Sequence, residues 1–198
     1  RSSYGIFDVS HMTIIDLRGS DARNLVRKLI SNDVDTLKED CDAMYSAMLN
    51  EKAGVIDDLI AYKMEFGYRL VVNCVRREQD LKWIAFISSD FDVEIHERID
   101  LAMVAVQGPQ SLDLLEELGL SSLKSKKRFQ GTYENEVLAV KTGYTGEKGF
   151  EVILPNEKSK LIWEKALKAG VSPAGLASRD TLRLEAGMNL YGFEMDDS

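Results

Sequence analysis

The 198 residues, 44% hydrophobic and 29% charged, suffice for one large globular unit or two small ones. A formal net charge of −8 argues against nonspecific binding to nucleic acid or an anionic membrane, and no apolar run approaches the length of a bilayer span. Two histidines exclude a multi-histidine metal site, and the two cysteines, Cys41 and Cys74, lack metal-ligand spacing and read as buried free thiols of a reducing compartment.

In chain order, Met12 to Leu17 reads as a strand. Ser20 is placed to cap a helix carrying Leu25, Val26, Leu29 and Ile30 on one face. Asn32-Asp33 ends it in turn chemistry, and strands follow at Ala43 to Asn50, Gly54 to Met64 and Tyr68 to Cys74. Residues 76–89 favour a helix burying Leu81, Ile84 and Ala85. Phe91, Val93 and Ile95 alternate with polar residues as a half-buried strand does. Leu101 to Val106 is a buried strand that stops at Gly108-Pro109, and Pro109 opens a helix with Leu112, Leu115 and Leu118. The basic run Lys124 to Arg128 reads as a solvated loop. Tyr133 to Thr142 and Phe150 to Leu154 are strands around a glycine-rich turn. Asn156 caps a helix with Leu161, Ile162 and Leu167, and a last helix runs from about Ser178 to Ala186 before Gly187. This irregular mixture predicts an α+β fold, with no flexible linker between domains.

Taken singly, the polar segments leave their chemistry open. There is no phosphate-binding loop, dinucleotide fingerprint, nucleophile elbow or zinc-protease motif. His96 reads as surface and His11 as a structural histidine. Asp57 and Asp58 interrupt an apolar strand, where a carboxylate is costly unless paired or used. Strand alternation sends them to opposite faces and so to different roles. Gly143 to Glu151 holds three glycines in nine residues; such a loop admits close approach to a ligand, although spacing alone favours a plain hairpin connection. Arg179, Asp180, Arg183 and Glu185 read as surface ion pairs or as a buried arginine able to grip a carboxylate ligand.

Together and in order, these segments resemble the T-protein family of the glycine cleavage system. The matching stretches are Phe7 to Met12, Asn32 to Val34, Tyr45-Ser46 with Met48 to Glu51, and Gly54 to Ile60. Leu70 to Asn73, Val106 to Pro109, Gly143 to Glu151 and Gly175 to Gly192 complete the series. The resemblance implies two closely packed α/β lobes within a folate-binding core over residues 1–198, organised as two interlaced subdomains. It also implies an N-terminal segment and a C-terminal β-rich domain that this chain lacks, so that the chain alone is expected to be inactive. The implied reaction takes an aminomethyl group from the lipoyl arm of H-protein, releases ammonia and passes the one-carbon unit to tetrahydrofolate.

By the same resemblance Asp58 lies beside the reacting folate nitrogen, where a carboxylate orients the amine and stabilises positive charge on the transferred carbon. Glu151 holds the pterin edge, and Tyr45, Asn73, Tyr144 and Arg179 complete the folate-binding set. No metal is implied, and the partners are lipoylated H-protein and tetrahydrofolate, with no nucleic acid and no membrane. The location is cytoplasmic in a bacterium and the mitochondrial matrix in a eukaryote. Two other readings keep the fold: a folate-dependent demethylase or dehydrogenase-associated folate domain, and a non-catalytic folate-binding protein. The latter carry a cysteine in the glycine-rich motif, where this chain has Gly143-Tyr144-Thr145-Gly146.

Overall fold

A computed structural model describes residues 1–197 as a mixed α+β protein of two compact units. In chain order the strands are β1 (Gly5–Asp8), β2 (Thr13–Arg18), β3 (Ala43–Leu49), β4 (Val55–Met64), β5 (Gly67–Val72), β6 (Glu94–Glu97), β7 (Leu101–Gln107), β8 (Gly131–Glu134), β9 (Val137–Val140), β10 (Gly149–Pro155) and β11 (Ser172–Pro173). The α-helices are α1 (Ala22–Leu29), α2 (Arg77–Ser88), α3 (Asn156–Lys168) and α4 (Leu176–Glu185). One unit comprises Met12–Ile99 with Leu190–Ser198, and the other Arg1–His11 with Asp100–Asn189.

The Met12–Ile99 unit is an antiparallel sheet in the order β3-β4-β5-β2-β6. Helix α1 buries Ala22, Leu25, Val26 and Leu29, the spacing of one helical face, and carries Arg27 and Lys28 where the C-terminal end of the helix dipole favours positive charge. These side chains join Leu59 and Ala61 of β4, Leu70 and Val72 of β5, and Ile15 and Leu17 of β2 in one core. Odd-numbered residues of β4 therefore face the helices, and Asp57 is among them. On the other face Asp16 is fully buried and accepts from Arg69 at 2.7 and 3.0 Å and from Arg98 at 2.7 Å.

Several expectations for this unit need correction. The Ser20 hydroxyl donates to Asp92 at 2.8 Å, and Asp21 takes the cap position of α1. In α2 the residues fully inside are Ile84 and Asp80, while Ala85 is exposed and Leu81 half-buried. Asp80 lies one turn before Ile84, so the packing of Ile84 carries the acid in with it. Strand β5 ends at Val72, and Cys74 sits exposed in a short 3-10 turn; Cys41 alone is buried.

The second unit is a sheet in the order β11-β1-β7-β10-β9-β8, antiparallel except for the pairing of β1 with β11. All seven residues of β7 are buried at its centre. One face carries Val104, Val106, Phe150, Val152 and Leu154, which pack with Ile162 and Ala166 of α3 and with Leu114, Leu115, Leu118 and Leu123. The helix expected after Pro109 is replaced by 3-10 turns at Ser111–Leu115 and Ser121–Ser125. The strand expected over 133–142 is a hairpin of β8 and β9 whose corner residues, Asn135 and Glu136, have φ of 51 and 64°, the conformation of a tight primed turn. Asn156 is the first residue of α3 rather than its cap, and Leu161 lies exposed. Helix α4 closes as expected: Gly187, at φ 67°, donates to Leu184, and Met188 donates to Arg183. Among the described residues no helix is long and apolar enough to cross a membrane.

Candidate functional site

In the Met12–Ile99 unit the pairing of β3 with β4 sets Ala47 opposite Asp58 and Tyr45 opposite Ile60, so Tyr45 reaches diagonally to the acid. The Tyr45 hydroxyl donates to Asp58 Oδ2 at 2.7 Å. Asn73, just beyond β5, donates from Nδ2 to Asp58 Oδ1 at 2.6 Å. Both carboxylate oxygens are thereby fixed, while Tyr45 keeps 47% of its surface exposed and Asp58 only 9%. A carboxylate so held has a set orientation and its charge available at the surface of the unit.

Asp57 points to the helix face, as alternation requires, and has 0% exposure. It accepts from the Asn73 backbone N–H at 2.9 Å and from Asn73 Nδ2 at 2.8 Å. One asparagine therefore joins two acids that strand geometry turns apart. Burial pushes Asp57 above the ordinary carboxylate range, against its bonds with Asp80 and Asn73. Asp80 of α2, also fully buried, is pushed up to about 9 by burial, by its hydrogen bond with Asp57 and by the charge of Asp57. Asp80 was not anticipated from the sequence. Its helical spacing to Ile84 was the available signal.

The second unit holds the other residues expected of the site. Glu151 lies on β10 opposite Ala105 and Val140, on the face away from Val152 and the α3 core. Burial raises Glu151 to about 7, opposed by the charge of Arg179, and its Oε2 is buried without a hydrogen-bond partner. Arg179, half-buried on α4, lies with its guanidinium carbon 4.5 Å from the centre of the Tyr144 ring. The Tyr144 hydroxyl donates to the Asn189 carbonyl, which fixes the ring beneath the guanidinium. Neighbouring Arg183 is instead committed within the fold, donating to Asp180 at 2.8 Å and to the Met188 carbonyl at 3.1 Å. His96 bonds Glu94 on exposed β6 at 2.9 Å.

The glycine-rich loop also has an internal reason for its composition. Gln107 is buried, donates to the Thr142 carbonyl at 3.0 Å and accepts from the Thr145 hydroxyl at 2.8 Å. A Cβ at Gly143 or Gly149 would overlap the Gln107 side chain. The glycines let the loop close on a buried amide and so fix Tyr144 and the start of β10. Among the described residues no group of three or more histidines, cysteines and acids could hold a metal ion.

Residues 1–198 match the family described as the GCVT N-terminal domain. An aminomethyltransferase of Alcanivorax borkumensis is 50% identical over 202 residues, which span 100% of this chain and 56% of that protein. An aminomethyltransferase of Xylella fastidiosa is 50% identical over 207 residues, again 100% of this chain and 56% of the relative. The chain thus spans little more than half the length of these curated relatives. The crystal structure of glycine cleavage system aminomethyltransferase T from Bartonella henselae superposes with a TM-score of 0.92 at 33% identity, over 98% of this chain and 54% of that one. A heterotetrameric sarcosine oxidase from Corynebacterium sp. U-96 shares the fold alone, with a TM-score of 0.54 at 10% identity over 91% of this chain and 85% of that one. Fold and end-to-end identity agree: the chain belongs to the GCVT N-terminal domain family.

Proposed function

We propose that the protein containing this chain is the aminomethyltransferase of a glycine cleavage system. It moves a one-carbon unit from the aminomethyl-lipoyl group of H-protein to tetrahydrofolate and releases ammonia. The observation that carries the reading is Asp58, with both oxygens fixed by Tyr45 and Asn73, in a chain half identical to proteins named aminomethyltransferase. A carboxylate anchored in this way needs no reorganisation when positive charge develops on a transferred carbon. It also holds the attacking amine in line for transfer.

Tetrahydrofolate enters as a substrate, and residues of the second unit suit it. The unpartnered Oε2 of Glu151 calls for an N–H donor, which the edge of a pterin offers. Arg179, supported on Tyr144, offers a cation for a carboxylate of the folate tail or a flat surface for a ring. The demethylase and binding-protein readings are favoured by no observation, since the sarcosine oxidase likeness is one of fold alone.

The test uses the full-length protein and H-protein loaded with the aminomethyl group. Asp58→Asn keeps the shape and removes the charge, and is expected to lower kcat by about a hundredfold or more with little change in the Kd for tetrahydrofolate. A wild-type protein that binds tetrahydrofolate yet releases no ammonia from loaded H-protein refutes the function. An unaltered rate in Asp58→Asn removes Asp58 from the chemistry.

A further inference from the structure

Asp80 has no role in the transfer as read above, yet it is buried at 0% exposure beside Asp57, also at 0%. Two charged carboxylates in contact in a dry interior are prohibitively costly. Among the described residues no N–H or O–H of the chain reaches either oxygen of Asp80. Its neighbour in the interior is Asp57, whose carboxyl group and charge act on it directly. Two carboxyl groups so placed can bond to each other only when one of them carries a proton.

Asp57 is in turn fastened to Asn73 at two points, and the same Asn73 amide nitrogen reaches Asp58. A continuous series of hydrogen bonds thus runs from Asp57 through Asn73 to Asp58 and Tyr45, with Asp80 set at its buried end. The other titratable groups acting on the buried pair are Asp58 on β4, Arg76 just before α2, and Tyr191 later in the chain.

We propose that Asp80 is a positioning residue for Asp58: its protonated carboxyl donates to Asp57, and Asp57 then holds Asn73 in the orientation that presents the Asn73 amide to Asp58. The inference rests on the reading of Asp58 as the acid of the transfer site. Without the proton, Asp57 and Asp80 repel, Asp57 shifts on its two Asn73 bonds, and the amide turns from Asp58. Asp80 keeps its proton up to about pH 9, so the arrangement is intact at neutral pH and fails on the alkaline side.

The test uses the full-length protein in three forms. In the wild type, infrared spectroscopy is expected to show the carbonyl stretch of a buried protonated carboxyl that disappears as pH rises through about 9. The rate of transfer is expected to fall over the same range. Asp80→Ala deprives Asp57 of its donor and is expected to lower kcat by roughly ten- to a hundredfold, with the KM for tetrahydrofolate nearly unchanged. Asp80→Asn donates from an amide that has no proton to lose; it should recover most of the turnover lost in Asp80→Ala and abolish both the infrared band and the alkaline fall. A wild type without the band overturns the proposal, whether or not the protein is an aminomethyltransferase. An active wild type whose alkaline fall persists in Asp80→Asn overturns it while leaving the proposed function standing. If Asp80→Ala does not fold, the band and the Asp80→Asn profile decide.

Discussion

Asn73→Ala tests how the acids of β4 are held. The substitution removes two side-chain bonds to carboxylates, at 2.8 Å to Asp57 and 2.6 Å to Asp58. Bonds to charged groups contribute roughly 1.5–3 kcal/mol each. Neither acid is orphaned, because Asp57 keeps the residue-73 backbone N–H at 2.9 Å and Asp58 keeps Tyr45 at 2.7 Å. The expected loss is therefore at the lower end of the sum, about 3–4 kcal/mol. Asn73→Asp adds a third carboxylate to the cluster and should cost more at neutral pH, with the gap to alanine narrowing as acid protonates the group. Urea unfolding followed by the fluorescence of Trp83, on α2 of the same unit, reads this directly in a Trp163→Phe background. A loss below about 0.5 kcal/mol for Asn73→Ala would refute the reasoning, as would Asn73→Asp no less stable than alanine at neutral pH.

Two further outcomes concern groups whose titration is coupled to folding. Burial works to raise Asp16, but Arg69 and Arg98 outweigh it and hold the acid below its ordinary 3.8. Its stabilisation is thus present above 3.8 and lost as pH falls through the lowered native value. Asp16→Asn, which leaves Arg69 buried without its anion, should cost about 3–5 kcal/mol in neutral urea titrations and little in acid. Glu151 has the opposite sign: raised from 4.5 to about 7, it binds a proton in the native state that the unfolded chain gives up. Wild-type stability should therefore fall as pH rises from 4.5 to about 7, and Glu151→Gln should lack that slope. Thermal unfolding near pH 5 and near pH 8 checks this, the variant being the more stable of the two proteins at about pH 8.

Much of the architecture was legible because it rests on local periodicity. Strands β2, β4 and β7 and helices α1 and α4 follow from alternation, from 3.6-residue spacing and from Gly187 at a helix end. Strand β1 has no legible signal because four residues carry too little pattern, and its partners, β7 and β11, are far along the chain. The hairpin of β8 and β9 reads as one strand in the sequence because its corner, Asn135-Glu136, lacks a glycine. Of the candidate site residues, Asp58 stands out where charge interrupts an apolar strand, and Glu151 where a strand opens after a glycine-rich loop. Asp80 was missed because a lone acid on a helix reads as solvated, and only the packing of Ile84 turns it inward. Likewise, no local signal says that the loop glycines face Gln107, since that contact joins two strands of the sheet.

The position of β1 sets a timetable for synthesis. Gly5 to Asp8 pair with Val104 to Gln107 on one side, and Gly5 and Ile6 with Ser172 and Pro173 on the other. The first of these partners follows about a hundred residues later, which at ribosomal speeds of roughly 5–20 residues per second is a wait of about 5–20 s. Throughout it Ile6, Phe7 and Val9, all buried in the finished protein, lack their strand partners. The Met12–Ile99 sheet meanwhile has all five of its strands in one unbroken stretch and can form first. The nascent chain thus carries a short apolar strand ahead of an already folded sheet, and chaperones have those seconds in which to shield it.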